Sequence, residues 1–311
     1  MAVILIHGGC SSREIPEEDQ KQWIKGLFDA GKDAFEILQA GGSSIDAVEK
    51  AVNAMEDNPV YDAGTGSYFN ISGEIEMDAM IMDSTGRTGG VIGIRNVRYP
   101  ISVARKVMEE IPHILLAGEG AVRFARIMGF PEYDPGTEKA KEFLESQLEK
   151  PPDSIEKLLT HYRGDCGIVE NHSTVGAVAV DDKGILAAAT STGGTPLKLP
   201  GRVGDSAIVG AGTYASEHIA ACATGMGEGI LKLGVTRRVS KLVEEGISVE
   251  EACRRVIKEC HSAGFVCGVI CADEQGNTAA LHNGSFMPVM LFNDTNTDGK
   301  LIFPETIGSE R

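Results

Sequence analysis

The sequence predicts an α+β fold in which antiparallel sheets are covered by helices. Neighbouring strands are joined by turns as short as Asp181-Asp182-Lys183-Gly184, which reverse the chain at once and so pair strands antiparallel. Strands and helices also come in runs, without the regular alternation that builds a doubly wound parallel sheet. With 311 residues and 42% hydrophobic content, the chain can bury a substantial core. A single domain spanning 1–311 is expected.

The elements follow in order. Residues 2–6 read as a buried strand ended by the turn His7-Gly8-Gly9. Pro16 suits a helix start, and Ile24, Leu27, Phe28, Phe35 and Leu38 recur at helical spacing until Gly41-Gly42. A second helix begins at Ser43, where S-x-x-D offers a capping box, and carries Ile45, Val48, Val52 and Met55 on one face. Strands are expected at 66–71, 74–83 and 89–95, then helices at 101–111 and 117–129. From 133 to 173 the chain is charged, contains Pro151-Pro152 and reads as a mobile, partly helical connector. Strands at 174–181 and 184–191 precede a glycine-rich stretch to 229, helices at 228–245 and 248–262, and closing strands at 265–273, 277–282 and 287–293.

A net charge of −16 and a pI near 4.9 argue against nucleic acid and anionic membrane as partners, since binding phosphates takes clustered Lys and Arg. The opening "MAVILIHGG" has no basic leader, and its apolar run is too short for a signal or membrane span, so a cytoplasmic setting is expected. Seven cysteines without a C-x-x-C pair speak against a disulfide framework and a zinc knuckle, and most read as small core residues.

Thr174 sits where a polar stretch turns into the apolar run Val175 to Val180. A β-branched residue opening a strand is ordinary. Cleavage of Ser173-Thr174, however, would place a hydroxyl nucleophile and a free α-amine base, of unperturbed pKa about 7.7–8.0, on one residue. Arg202 and Asp205, three apart in a glycine-framed loop, offer a guanidinium fork for a carboxylate and a carboxylate for an ammonium, the two charges of a free amino acid. They could equally pair with each other. Thr224 stands before Gly225 and Gly227, where backbone N–H groups can approach a ligand and form an oxyanion hole, or where a helix simply begins.

Two other patterns compete. "IVGAGTYA" at 208–215, with Glu228 at the distance of a ribose contact, matches the dinucleotide fingerprint weakly. "HGGC" at 7–10 resembles a lipase oxyanion strand, but no G-x-S-x-G accompanies it, and Cys10 would become an N-terminal nucleophile only after removal of nine residues.

Together with "AGGSSIDAVEKAV" at 40–52, "NPVYDAGTGS" at 58–67, "EMDAMIMD" at 76–83, "PISVARKVME" at 100–109, "STVGAVAVD", "TSTGG", "GRVGDS", "GAGTYA" and "ATGMGEG", the chain closely resembles one family. It is that of the N-terminal-nucleophile hydrolases of the plant-type asparaginase and isoaspartyl peptidase group, related to glycosylasparaginase.

The resemblance implies a four-layer αββα sandwich, dimerised as (αβ)₂ after self-cleavage into 1–173 and 174–311, with 134–173 a mobile linker. It implies Thr174 as cleavage point and nucleophile, Thr192 hydrogen-bonding near it, Arg202 on the substrate α-carboxylate and Asp205 on its α-ammonium. Thr224 and Gly225 would form the oxyanion hole and Gly227 line the pocket. A structural sodium ion in the loop at 56–65 is implied too; no other cofactor is. The substrates would be L-asparagine or β-aspartyl dipeptides. The segments "GVIGIR" and "GVICAD" resemble the glycosylasparaginase branch, which keeps that activity open, as is a binding protein that holds the head group but never matures.

Two positions depart from the family. Ser173 replaces the usual Gly or Asp, for which slower cleavage is expected. Asp62 replaces the usual Asn, and beside Thr174 its charge would raise the pKa of the amine.

Overall fold

The structure, a computed structural model, describes residues 2–148 and 174–308. Its backbone is two sheets packed face to face with helices on both outer sides, the four-layer sandwich expected. Strands β1 Val3–His7, β2 Met77–Asp83, β3 Thr88–Ile94, β4 Leu115–Ala117, β5 Val175–Val180 and β6 Leu186–Thr192 belong to the first sheet. With β11 Val289–Asn293 and β12 Asn296–Ile302 it runs β12-β11-β1-β5-β6-β2-β3-β4, antiparallel except for β3–β4. The second sheet, of β7 Thr213–Ala215, β8 Ile219–Gly225, β9 Cys267–Asp273, β10 Thr278–His282 and β13 Glu305–Thr306, runs β13-β10-β9-β8-β7.

Side-chain alternation explains the layering. On β5, Val175, Ala177 and Ala179 join the core beneath the helices α1 Glu17–Gln39, α2 Ser44–Glu56 and α3 Pro100–Glu110. Val178 and Val180 instead meet Ala220, Cys222, Ile270 and Ala272 between the sheets. The other outer face is covered by α6 Gly227–Leu233, α7 Val235–Glu244 and α8 Val249–Ser262, over Ile219, Ala221, Ala223 and Val269. Helices α4 Gly118–Ile127 and α5 Glu138–Gln147 complete the first half of the chain.

Ser43 caps α2 as its spacing promised: its hydroxyl accepts from the Asp46 amide at 3.2 Å and donates to the Asp46 carboxylate at 2.6 Å. Other expectations needed correction. Residues 66–71 form a loop folded around Gly64 and Gly66, both at positive φ, rather than a strand. The expected helix at 228–245 is broken at Gly234, whose left-handed φ of 65° caps α6 and starts α7. Strands β7 and β8 lie within the stretch read only as glycine-rich, and β12 extends the first sheet past the expected last strand. The connector is partly helical, as expected: α5, capped by Thr137, packs through Phe143 edge-on to Tyr68 at 5.2 Å. The connector from 149 to 173, with Cys166 and Ser173, lies outside the described residues.

The described cysteines are all buried and free, and Cys253 on α8 touches Cys271 on β9 at 3.2 Å. Burial pushes the Cys10 thiol up to about 12, which disfavours its thiolate in the intact chain. Gly212 of the dinucleotide-like pattern leads into β7 rather than a helix, which removes the phosphate-binding turn that reading required. Among the described residues no helix is long and apolar enough to cross a membrane.

Candidate functional site

The alternation that layers the sheets also aims the candidate residues. Even-numbered residues of β5 and β6 face the second sheet, as do His7 and the odd-numbered residues of β1. On β8, Ala220 and Cys222 face back, and Thr224 shares their side. Thr174, Thr192 and Thr224 therefore all project into the space between the sheets, at their ends. Val175 pairs with Ser191, so the residue before it, Thr174, comes alongside Thr192.

Thr174 is buried, and its Oγ1 lies 3.4 Å from Ser206 Oγ. The Ser206 loop is pinned from below: the hydroxyls of Thr190 and Thr213 both donate to the Ser206 carbonyl, at 3.0 and 2.9 Å. Asp205 precedes it, buried, with Oδ2 lacking a hydrogen-bond partner among the described residues. Burial drives the Asp205 carboxyl up to about 7, against the pull of Arg202.

Arg202 does not pair with Asp205. Its Nε and Nη2 each donate to a carboxylate oxygen of Glu228 at 2.9 Å, while its Nη1 lies 2.8 Å from where a Gly204 Cβ would stand. A Cβ on Gly227 would fall 2.8 Å from Arg202 Nη2 and 3.0 Å from Asp205 Oδ1, so this glycine keeps open the gap between the two charges. Gly227→Ala is expected to raise the KM of any substrate held by both charges, by roughly tenfold or more. An unchanged KM in steady-state kinetics would show that nothing binds in that gap.

Asp62 closes the other side. Its main-chain carbonyl accepts from Gly193 at 2.8 Å, and its Oδ1 accepts from the Tyr68 amide at 3.1 Å. Gly193 follows Thr192, whose Oγ1 accepts from the Gly194 amide at 2.9 Å. A Cβ on Gly193 would collide with Asp62 Oδ1, so only glycine allows that approach. Burial raises the Asp62 carboxyl to about 7, with Lys198 and Arg202 opposing.

Lys198 was missed in the sequence. Its buried ammonium donates to the carbonyls of Glu76 at 2.6 Å and Gly193 at 2.9 Å; burial lowers its pKa and Asp78, Glu76 and Asp62 resist that shift. Ser206 was missed too, and Glu228, weighed as a ribose contact, instead holds Arg202. Nothing in the local pattern distinguishes a buried lysine in "TPLKLP" from a surface one. Thr224 Oγ1 is buried with no partner among the described residues, and Gly225, at φ +133°, packs so tightly that a Cβ would strike the Val266 carbonyl.

His7, also between the sheets, has neither ring nitrogen bonded among the described residues, and burial lowers it to about 3, so it is neutral at any working pH. For a cation, the loop at 56–65 offers main-chain oxygens: the Pro59 and Tyr61 carbonyls each lie 2.8 Å from where a Gly66 Cβ would be, and so converge on one space. Hard oxygen donors fit a sodium ion. Among the described residues no group of three or more His, Cys, Asp or Glu is placed to hold a metal.

A buried hydroxyl at a strand start, a partner-seeking carboxylate and a guanidinium across a glycine gap suit an amino-acid head group beside that hydroxyl. A family model described as Asparaginase matches residues 1–301. The chain is 42% identical over 295 residues to a plant-type L-asparaginase of Pyrococcus abyssi, covering 92% of this chain and 95% of that one. It is 42% identical over 303 residues to a plant-type L-asparaginase of Thermococcus kodakarensis, covering 94% and 97%. To an isoaspartyl peptidase/L-asparaginase of Bos taurus it is 39% identical over 307 residues, covering 98% and 97%.

Proposed function

Because the chain belongs to the asparaginase family along nearly its whole length, we propose that it cleaves itself before Thr174 and then hydrolyses the side-chain amide of L-asparagine and of β-aspartyl dipeptides. The observation that carries this reading is the run of neighbours from the Thr174 hydroxyl through Ser206 and Asp205 across Gly227 to Arg202. Relatives named asparaginase and isoaspartyl peptidase favour it over glycosylasparaginase.

In the uncut chain the Thr174 nitrogen is an amide and cannot act as a base. Cleavage divides the chain into 1–173 and 174–311 and frees that amine, which takes the proton of its own hydroxyl. Arg202 receives the α-carboxylate and Asp205 the α-ammonium, leaving the β-carbonyl of the substrate before Thr174 Oγ1. Such positioning supplies much of the rate. Attack forms an ester to Thr174 and expels ammonia or an amino acid; water then releases L-aspartate. Thr224 and the Gly225 backbone are assigned to the developing oxyanion. The Thr224 hydroxyl, without a partner among the described residues, is a donor available for that purpose. Thr192 fixes the adjacent turn through Gly194. A sodium ion on the Pro59 and Tyr61 carbonyls would brace the loop that carries Asp62. The cleaved units are taken to pair as (αβ)₂ in the cytoplasm.

The test is release of ammonia from L-asparagine and of L-aspartate from a β-aspartyl dipeptide by the purified, cleaved protein. Failure on both substrates would sink the proposal and leave a head-group binding protein. Asp62 modulates the same chemistry. Titrating near 7, it is ionised in the range where the Thr174 amine must lose its proton, and its charge holds that proton on. Asp62→Asn is expected to move the pH–rate profile to lower pH, by on the order of one unit. A profile that stays put would remove Asp62 from the neighbourhood of the base.

A further inference from the structure

An arginine carries five N–H donors arranged as two separate forks, a side-on edge of Nε and Nη2 and an end-on edge of Nη1 and Nη2. In Arg202 the side-on edge is taken: Nε and Nη2 each reach a Glu228 oxygen at 2.9 Å. The guanidinium is largely buried and Glu228 half-exposed at the start of α6. The end-on edge lies among glycines, Nη1 being 2.8 Å from a would-be Gly204 Cβ and 3.4 Å from that of Gly194, and Nη2 being 2.8 Å from that of Gly227. Among the described residues, three absent side chains thus leave that edge uncovered on the side where Asp205 Oδ1 stands, 3.0 Å from the same Gly227 point.

The geometry points to Glu228 as a positioning residue that occupies one fork of Arg202, so that the other is presented to the substrate α-carboxylate opposite Asp205. This rests on the head-group reading above and adds a selective consequence. A carboxylate matches a fixed planar fork with two parallel bonds, whereas a neutral amide carries one acceptor oxygen and cannot. Glu228 thereby makes the site select substrates with a free α-carboxylate. Its own charge also offsets that of Arg202, so discrimination comes from fork geometry more than from bulk attraction.

The experiment is steady-state kinetics of the cleaved protein and its Glu228→Gln, Glu228→Asp and Arg202→Ala variants, on L-asparagine and on L-asparaginamide, which lacks the α-carboxylate. Glutamine has the size of Glu228 but can accept at only one atom and turns an N–H₂ toward the guanidinium. Expected for Glu228→Gln is a KM for L-asparagine raised roughly tenfold with kcat within about twofold, and no added loss on L-asparaginamide. Glu228→Asp should recover part of the affinity, and melting temperatures should stay close to that of the parent. An unchanged KM in Glu228→Gln, beside a raised KM in Arg202→Ala, would overturn the positioning role alone. An equal loss on both substrates would reduce Glu228 to a structural prop and also overturn it. If Arg202→Ala itself leaves the KM for L-asparagine unchanged, the head-group reading falls, and this proposal with it.

Discussion

Thr174→Ala is expected to leave a single 33.0 kDa polypeptide and to lower hydrolysis of L-asparagine by on the order of 10⁴-fold or more. Both effects have one cause. The hydroxyl needed to attack the Ser173 carbonyl is the hydroxyl needed to attack substrate, so its removal stops maturation before an active site exists. The fold should tolerate the change, because among the described residues that hydroxyl meets only Ser206 at hydrogen-bond range, at 3.4 Å, too long to be a strong bond. Intact mass under denaturing conditions, fresh and after prolonged incubation, reads the first effect and ammonia release the second. The parent chain should give two fragments meeting between Ser173 and Thr174. Fragments in the alanine variant would mean that another protease cuts the chain, and uncut parent protein with full activity would mean that Thr174 is not an N-terminal nucleophile. Thr174→Ser should cleave and retain part of the activity, since it keeps the hydroxyl and loses only the methyl that restrains its rotamer.

The seam at Thr174 was legible because burial and polarity conflict there. A run such as Val175 to Val180 must lie inside a sheet, and a hydroxyl at its start has to face something. The two-residue period then tells which way it faces once the strand is placed. Antiparallel sheets under helices were legible from the short turns, whereas the four-layer arrangement was implied by the family resemblance. Strand β8 was not: "IAACATG" consists mostly of small residues that look like loop or helix, and it becomes a strand because small side chains let two sheets approach closely. Strand β12, "NTDGKLI", is a mostly polar edge whose place is set by backbone pairing with β11 rather than by apolar pattern. Lys198 and Glu228 escaped for a further reason. A charge is recognised as functional only by what surrounds it, and the carbonyls of Glu76 and Gly193 around Lys198 come together only in the folded chain. Arg202 and Asp205 could be singled out because glycines frame them in sequence; that Arg202 pairs with Glu228, while Asp205 Oδ2 has no partner among the described residues, could not.

Asp205→Asn is expected to move activity and stability in opposite directions. In the folded chain the Asp205 carboxyl sits at about 7, against 3.8 for an unperturbed aspartate, because burial disfavours its charge. The folded state therefore holds a proton more tightly than the unfolded one, and stability falls as pH rises from about 4 to about 7 and stays lower above that. Asparagine is neutral and avoids this loss. The variant should match the parent near pH 4 and melt several degrees higher at pH 8, a difference on the order of a few kcal/mol. Catalysis should change the other way. The ionised carboxylate is what an α-ammonium needs in that buried position, and removing one partner of such a pair costs on the order of 10²-fold or more in kcat/KM. The parent kcat/KM should also fall about tenfold per unit below pH 7 as Asp205 takes up its proton. Asp62 titrates in the same range, so the comparison is best made in an Asp62→Asn background, where the acid limb reports Asp205 and the Thr174 amine together and should become shallower by one proton in the double variant. Calorimetry at pH 4 and 8, with kcat/KM across the same range, decides the matter. If Asp205→Asn is both active and no more stable at pH 8, the carboxylate is neither strained nor used, and the ammonium must bind elsewhere. If it is inactive and less stable, Asp205 holds its loop together through bonds that the folded geometry does not reveal. Only gain of stability with loss of activity fits a carboxylate kept buried, at the expense of the fold, for a cation that arrives with the substrate.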